Sequence, residues 1–133
     1  MEPQMNADER RSEINGITET VIGCVMQVSN TLGSGFLEKV YENALAVECR
    51  RSGLTLIQQR AIQIKYRDVV VGDYIADLIV NDLVTVEVKA VKLLDEVHAA
   101  ECLNYLKATN LNIGLLINFD RPKAEIRRIV QGF

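Results

Sequence analysis

The sequence has no tryptophan, one histidine, two prolines and three cysteines in 133 residues, and only 5% of it is aromatic. Each scarcity closes a class of function. A single histidine, His98, excludes zinc sites of the HExxH type and any histidine cage, so a metal would have to be held by oxygen ligands. Cys24, Cys49 and Cys102 are odd in number and far apart, with no CxxC spacing. They read as buried free thiols of a reducing compartment rather than a disulfide framework. No apolar run approaches the roughly 18 residues that a membrane span needs. The opening MEPQMNADERRSE is too charged for a secretory signal. The expectation is a soluble cytoplasmic protein with no membrane partner.

What is present is ordinary globular material: 48% hydrophobic and 25% charged residues. That is enough apolar side chain to offset the entropy of ordering the chain, and the length suits one domain. The only composition shift divides a polar N-terminal segment, residues 1–12, from a domain over residues 13–133. Fifteen Lys and Arg against eighteen Asp and Glu give a net charge of −3. An acidic balance argues against tight, metal-free, sequence-independent binding of nucleic acid, which draws its affinity from neutralised phosphates.

Ile14, Ile17, Val21, Val25, Val28 and Leu32 recur at helical steps and predict an amphipathic helix ended by Gly33-Ser34-Gly35. Ser34 is the expected N-cap of a second helix over 36–51, and Gly53 its C-cap. From Leu54 the texture turns β-branched and predicts strands over 57–66, 74–80 and 83–91. Gly72-Asp73 and Asn81-Asp82 are the expected turns of this antiparallel meander. A helix over 95–109, stopped at Asn110, then leads to LNIGLLINF, a strand apolar on both faces and reached by a crossover. Residues 125–130 add an edge strand. The fold class is α/β with a mixed sheet, in the order α-α-β-β-β-α-β with a further β, helices packed on the sheet.

Within YIADLIV, Asp77 is the only charge, with Ile75 and Ile79 on its face and Ala76, Leu78 and Val80 on the other. A buried carboxylate is costly unless it is paired, solvated at an edge or bound to a metal. In the next strand Thr85, Glu87 and Lys89 share one face, and Val84, Val86, Val88 and Ala90 the other. A hairpin at Asn81-Asp82 brings Asp77 beside Glu87. Two carboxylates and an ammonium in one patch suit Mg²⁺ or Mn²⁺, completed by water and phosphate oxygens.

Asp77 followed by Glu87-Val88-Lys89 resembles the D…ExK signature of the PD-(D/E)XK nuclease superfamily. Gly35-Phe36-Leu37-Glu38-Lys39-Val40-Tyr41 resembles the pattern of the small prokaryotic GxxExxY proteins. The likeness continues through Asn43-Ala44-Leu45, Val86 to Ala90, Asn104-Tyr105-Leu106 and Gly114 to Phe119. It implies the fold of that superfamily and a metal-dependent nuclease hydrolysing phosphodiester bonds, of DNA rather than RNA. By the same resemblance Asp77 and Glu87 are metal ligands together with the Val88 carbonyl, Lys89 is the catalytic lysine, and Glu38 is an added acidic group at the site. Related nucleases often carry a Gln-xxx-Tyr pair on the helix after the sheet. Here Tyr105 is present, but Glu101 stands where the glutamine would be and adds a negative charge.

Several residues keep two readings. Glu38 in a first helical turn also suits the helix dipole. Glu48, near the middle of the apolar arc, either reaches the acidic patch or snorkels outward. Tyr41 packs or assists catalysis. His98 caps its helix or contacts a phosphate. The clusters Arg50-Arg51 and Arg121 to Arg128 are solvated faces or backbone contacts. The rival to a nuclease is a non-catalytic module binding nucleic acid or protein on the same fold, with the apolar first helix covering a homodimer interface.

Overall fold

The computed structural model describes residues 6–132. Eight elements follow one another: α1 (Ala7–Leu32), α2 (Glu38–Arg51), β1 (Leu56–Tyr66), β2 (Val69–Val80), β3 (Val84–Lys89), α3 (Glu96–Thr109), β4 (Ile113–Asn118) and β5 (Glu125–Val130). The strands form one sheet in the order β1-β2-β3-β4-β5. All neighbours are antiparallel except β3 and β4, which run parallel across the α3 crossover. The fold is therefore the mixed α/β arrangement that the chain's patterning implies.

α1 and α2 cover one face of the sheet. Ile14, Val21 and Val25 of α1 and Tyr41, Leu45 and Cys49 of α2 share a core with Val84, Val86 and Val88 of β3 and with Ile113, Leu115 and Ile117 of β4. α3 covers the other face. It lies close because Gly114 has no side chain: a Cβ there would stand 2.7 Å from both Cys102 Sγ and Thr85 Oγ1. The three cysteines are free and buried. Burial pushes Cys49 and Cys102 up to about 12, so both remain neutral thiols.

Four expectations shift. α1 begins at Ala7 rather than near Ile14, because Asn6 and Glu9 form a reciprocal capping box that starts the helix within the polar segment. Residues 7–12 thus belong to α1; residues 1–5 of the expected N-terminal segment lie outside the described residues. α2 has Leu37 at its N-cap with no side-chain cap bond, so Ser34 does not cap it. The helix closes at Ser52, followed by left-handed Gly53 (φ 87°). The first hairpin turns at Arg67-Asp68, both in the left-handed region (φ 49° and 64°), and not at Gly72-Asp73. Gly72 instead sits in β2 opposite Ile64, where the register slips before Lys65. Asn81, Asp82 and Asn110 are left-handed (φ 51°, 57° and 60°), as their turn and helix-stop positions require.

No helix among the described residues is long and apolar enough to cross a membrane.

Candidate functional site

The opening between β2 and β3 defines the site. β2 is twelve residues long but pairs with β3 only through Leu78↔Val86, Ile79↔Thr85 and Val80↔Val84. Beyond Leu78 the β1–β2 arm leaves the sheet, and Asp77 stands at the point of departure. Side-chain alternation also breaks there. Ala76 and Ile79 join Tyr105 on the α3 face, while Leu78 and Val80 join the α1/α2 core. The expected assignment of Ala76 to the same face as Leu78 and Val80 therefore fails, because strict period-2 alternation does not survive the irregularity at Asp77.

Its partner strand explains the irregularity. Gln59, across from Asp77 in β1, has a left-handed backbone (φ 53°), a conformation that costs a residue with a Cβ of order 1 kcal/mol or more. The twist turns its amide toward α2 and Asp77. Gln59 Nε2 donates to Glu42 Oε1 at 2.7 Å and to Asp77 Oδ1 at 3.3 Å. Asp77 Oδ2 accepts from the Val88 N–H at 2.8 Å, which replaces a ladder bond and ties the carboxylate to the free edge of β3. Since N–H and C=O of one residue in an antiparallel ladder face the same side, the Val88 carbonyl is directed to this edge too.

Glu87 and Lys89 face α3, as their alternation predicts. With Asp77, His98, Glu101 and Tyr105 they line a cavity of about 480 Å³. Glu87 is 9% exposed and its Oε1 has no hydrogen-bond partner. Burial pushes its carboxyl from 4.5 up to about 8; the charge of Asp77 adds to the shift and that of Lys89 opposes it. Tyr105 Oη, also buried, lacks a partner, and burial followed by the charges of Glu87 and Asp77 pushes the phenol upward. Lys89 Nζ lies 3.8 Å from Glu101 Oε2, so the glutamate in the place of a glutamine holds the lysine at this cavity. The chain beyond Lys89 is fixed by Asn118, whose Nδ2 donates to the Val91 carbonyl at 2.7 Å and whose Oδ1 accepts from the Val91 N–H at 3.0 Å.

Asp77 also lines a second cavity, of about 520 Å³, on the α2 side with Glu38, Glu42, Gln59 and Val88. Glu38 is exposed and its Oε1 accepts from the Ala90 N–H at 3.2 Å. It meets Asp77 across this cavity and does not line the one that holds Glu87. Among the described residues, no three His, Cys, Asp or Glu side chains are grouped closely enough to hold a metal. The three carboxylates thus do not converge in one cluster. The Asp77–Glu87 pair with the Val88 carbonyl nevertheless fits a hard divalent ion, which typically takes one or two carboxylates and keeps several waters. The buried, unpartnered Glu87 oxygen is the kind of atom that an ion or water satisfies.

Other candidates separate cleanly. Tyr41 is fully buried: its hydroxyl donates to the Gly33 carbonyl at 2.5 Å and accepts from the Phe36 N–H at 3.2 Å, and its ring stacks on Phe119 at 4.6 Å. It locks the turn before α2 and lines neither cavity, so its contacts are those of a packing residue. Glu48 also lines neither cavity. The buried acid of α2 is Glu42, which is 4% exposed and is held by Lys39, Gln58 and Gln59 at 3.0, 2.7 and 2.7 Å. Glu42 lies one helical turn from Glu38, and the Gln58-Gln59 pair interrupts an otherwise apolar-polar strand; those were the available signals. His98 caps its helix, accepting from the Asp95 N–H through Nδ1 at 3.1 Å in a capping box, and it also lines the Glu87 cavity. Arg121 and Arg127 donate to the carbonyls of Lys92 and Leu94, and Arg128 to Thr18 Oγ1, so these bonds tie the C-terminal basic cluster to the fold.

The model of the PD-(D/E)XK nuclease superfamily matches residues 15–129, nearly the whole described chain. The protein belongs to that superfamily. No curated protein and no solved structure matches it.

Proposed function

We propose that the protein is a metal-dependent nuclease that hydrolyses phosphodiester bonds in the cavity between β3 and α3. The observation that carries this reading is the pairing of buried Glu87 with half-buried Asp77 at the unpaired edge of β3, with Lys89 in the same cavity. Asp77, Glu87 and the Val88 carbonyl would hold Mg²⁺ or Mn²⁺. Such an ion supplies a polarised phosphate oxygen and a more acidic water when bound. Lys89 places its ammonium where negative charge grows on the phosphate, and Glu101 keeps it there. Tyr105, whose hydroxyl is buried without a partner, offers a donor to the same anion, and His98 stands at the rim. Glu38 adds negative charge on the far side of Asp77 and anchors the start of α2 to the end of β3 through Ala90. The Gly35–Tyr41 pattern supports a narrower placement among the prokaryotic GxxExxY proteins, and DNA is the substrate we favour over RNA.

Incubation with single- and double-stranded DNA and RNA, with and without Mn²⁺, tests the reading. Metal-dependent cleavage should disappear in Asp77→Ala and Lys89→Ala. Cleavage undiminished in both variants would come from a contaminant and overturn the assignment. One observation favours a second reading, a non-catalytic binding module: Glu101 occupies Lys89 and brings a negative charge to a cavity meant for phosphate. Under the nuclease reading, Glu101→Gln should raise the rate or leave it within a few fold. Under the second reading, Mn²⁺ titration calorimetry is silent and no variant cleaves.

A further inference from the structure

We infer that the groove running from the Glu87 cavity between the β1–β2 arm and α3 is a track for a single nucleic-acid strand, with Lys65 and Lys107 on its phosphates and Tyr74 stacked on a base. This rests on the nuclease reading for its substrate class, but it stands on separate residues. The groove is a second cavity of about 460 Å³ that meets the Glu87 cavity at Tyr74, which lines both. Lys65 comes from the arm and Lys107 from the last turn of α3, so the two cations face the groove from opposite walls. Gln63 and Asn104 line it as well, and no carboxylate does. In a chain of net charge −3 that is a local inversion of sign. Both lysines are exposed, and neither has an ion-pair partner among the described residues.

The opposite exit from Asp77 has the reverse character. Glu38 and Glu42 line it, and its one lysine, Lys39, is already paired with Glu42 at 3.0 Å. Asp73 and Glu101 stand with Lys89 where the groove meets the Glu87 cavity, so the attraction for an anionic strand comes from Lys65 and Lys107 within the groove, and the α2 side offers no unpaired lysine to match them. Tyr74 supplies the stacking surface. It is 40% exposed, and its ring rests at 5.5 Å and 38° on that of buried Tyr105, which fixes its position. Stacking on an aromatic side chain needs a base out of its duplex, which is why the track selects single strands. Such a contact contributes roughly 1–3 kcal/mol per base.

Fluorescence anisotropy with labelled single-stranded DNA and RNA oligonucleotides and the matching duplex, in Mn²⁺ and on a Lys89→Ala background to suppress turnover, tests the track. Single strands should bind more tightly than duplex. Lys65→Gln with Lys107→Gln should weaken single-strand binding about tenfold or more and lower the salt slope by roughly one per lysine. Tyr74→Ala should weaken binding from about fivefold to a hundredfold with the salt slope unchanged, and Tyr74→Phe should restore it, which a folding defect would not allow. Unchanged binding in the double lysine variant, or equal affinity for duplex, overturns the track. Wild-type cleavage kinetics separate the two proposals: Mn²⁺-dependent cleavage with KM unaffected by the lysine changes leaves the nuclease standing and removes the track. Lysine- and Tyr74-dependent binding without cleavage or Mn²⁺ heat removes the nuclease and leaves the track.

Discussion

Replacing Glu87 by glutamine should stabilise the metal-free protein, and only at high pH. The carboxyl is buried beside Asp77, and its pKa rises from 4.5 in the open chain to about 8 in the fold. Below 4.5 the group is protonated in both states and contributes no pH-dependent difference. Between 4.5 and 8 the unfolded chain releases its proton while the fold retains it, so rising pH favours unfolding. Above 8 the full cost is present. One pKa unit corresponds to about 1.4 kcal/mol, which makes that cost on the order of 5 kcal/mol, about 3 of it already reached at pH 7. Glutamine keeps the shape and cannot ionise. Groups whose titration the change leaves alone cancel between the two proteins. Urea unfolding in EDTA at pH 4.5, 6, 7 and 8.5 should therefore show near-equal stability at the acid end and a difference that widens to a few kcal/mol in favour of Glu87→Gln. A constant difference across the series, or a glutamine variant weaker at pH 8.5, would refute the argument that a desolvated, repelled carboxylate occupies this cavity. In the same assay, excess Mn²⁺ should stabilise the wild type at pH 8.5 and the variant less, since a ligand that binds only the folded state adds about 2.7 kcal/mol at a hundredfold excess over Kd.

Three further perturbations separate site from scaffold. Tyr41→Phe should lower stability by about 1–2 kcal/mol in thermal unfolding, through loss of the bonds to Gly33 and Phe36, and leave nuclease activity intact. Gly114→Ala should cost about 1–3 kcal/mol, because its methyl would overlap Cys102 and Thr85 and push α3 from the sheet; by widening the Glu87 cavity it should reduce activity too. Gln59→Ala removes a donor from buried Glu42 and a tie to Asp77, for a loss of about 1–3 kcal/mol in urea unfolding. Gln59→Gly should lose less than the alanine variant, since glycine accepts the left-handed backbone freely.

The contrast between Tyr41 and Glu42 shows what one-dimensional patterning can carry. The periodicity of α2 and the β-branched strands depends on neighbours three or two residues away, and both were legible, as were the parallel crossover and the doubly buried β4. The face of β3 that bears Glu87 and Lys89 was legible for the same reason. Arg67-Asp68 was not, because a two-residue turn in left-handed conformation has a strong signal only when it contains Asn or Gly, and Gly72 nearby offered a better-looking one. Glu42 is not legible in the pattern, because α2 buries Tyr41, Glu42, Leu45, Ala46 and Cys49 while apolar Val40 stays exposed, and the acid is accommodated in that stripe by tertiary contacts with Gln58 and Gln59. Tyr41, by contrast, stands in the pattern that suggested the family, yet its hydrogen bonds serve the Gly33–Gly35 turn. There Gly35 (φ 107°) needs the freedom that only glycine has.

The acidic total of the chain takes on a different meaning once its carboxylates are sorted by place. Asp77 stands at a break in side-chain alternation and so opens onto both faces of the sheet, with Glu38 and Glu42 on one side and Glu87, Lys89 and Glu101 on the other. The α2 side is acidic, and its one lysine is spent on Glu42; the α3 side holds Glu87 buried, Asp73 and Glu101 exposed, and two unpaired lysines along the adjoining groove. A uniform charge of −3 would repel a polyanion from every direction. This distribution favours the side with the unpaired lysines, and a divalent ion on the Asp77–Glu87 pair would lower the repulsion there further, leaving Asp73 and the Lys89-paired Glu101 as the remaining acids of that cavity. The same departure of the β1–β2 arm that costs β2 its ladder bonds beyond Leu78 creates the edge where that pair meets and one wall of the groove that leads to it.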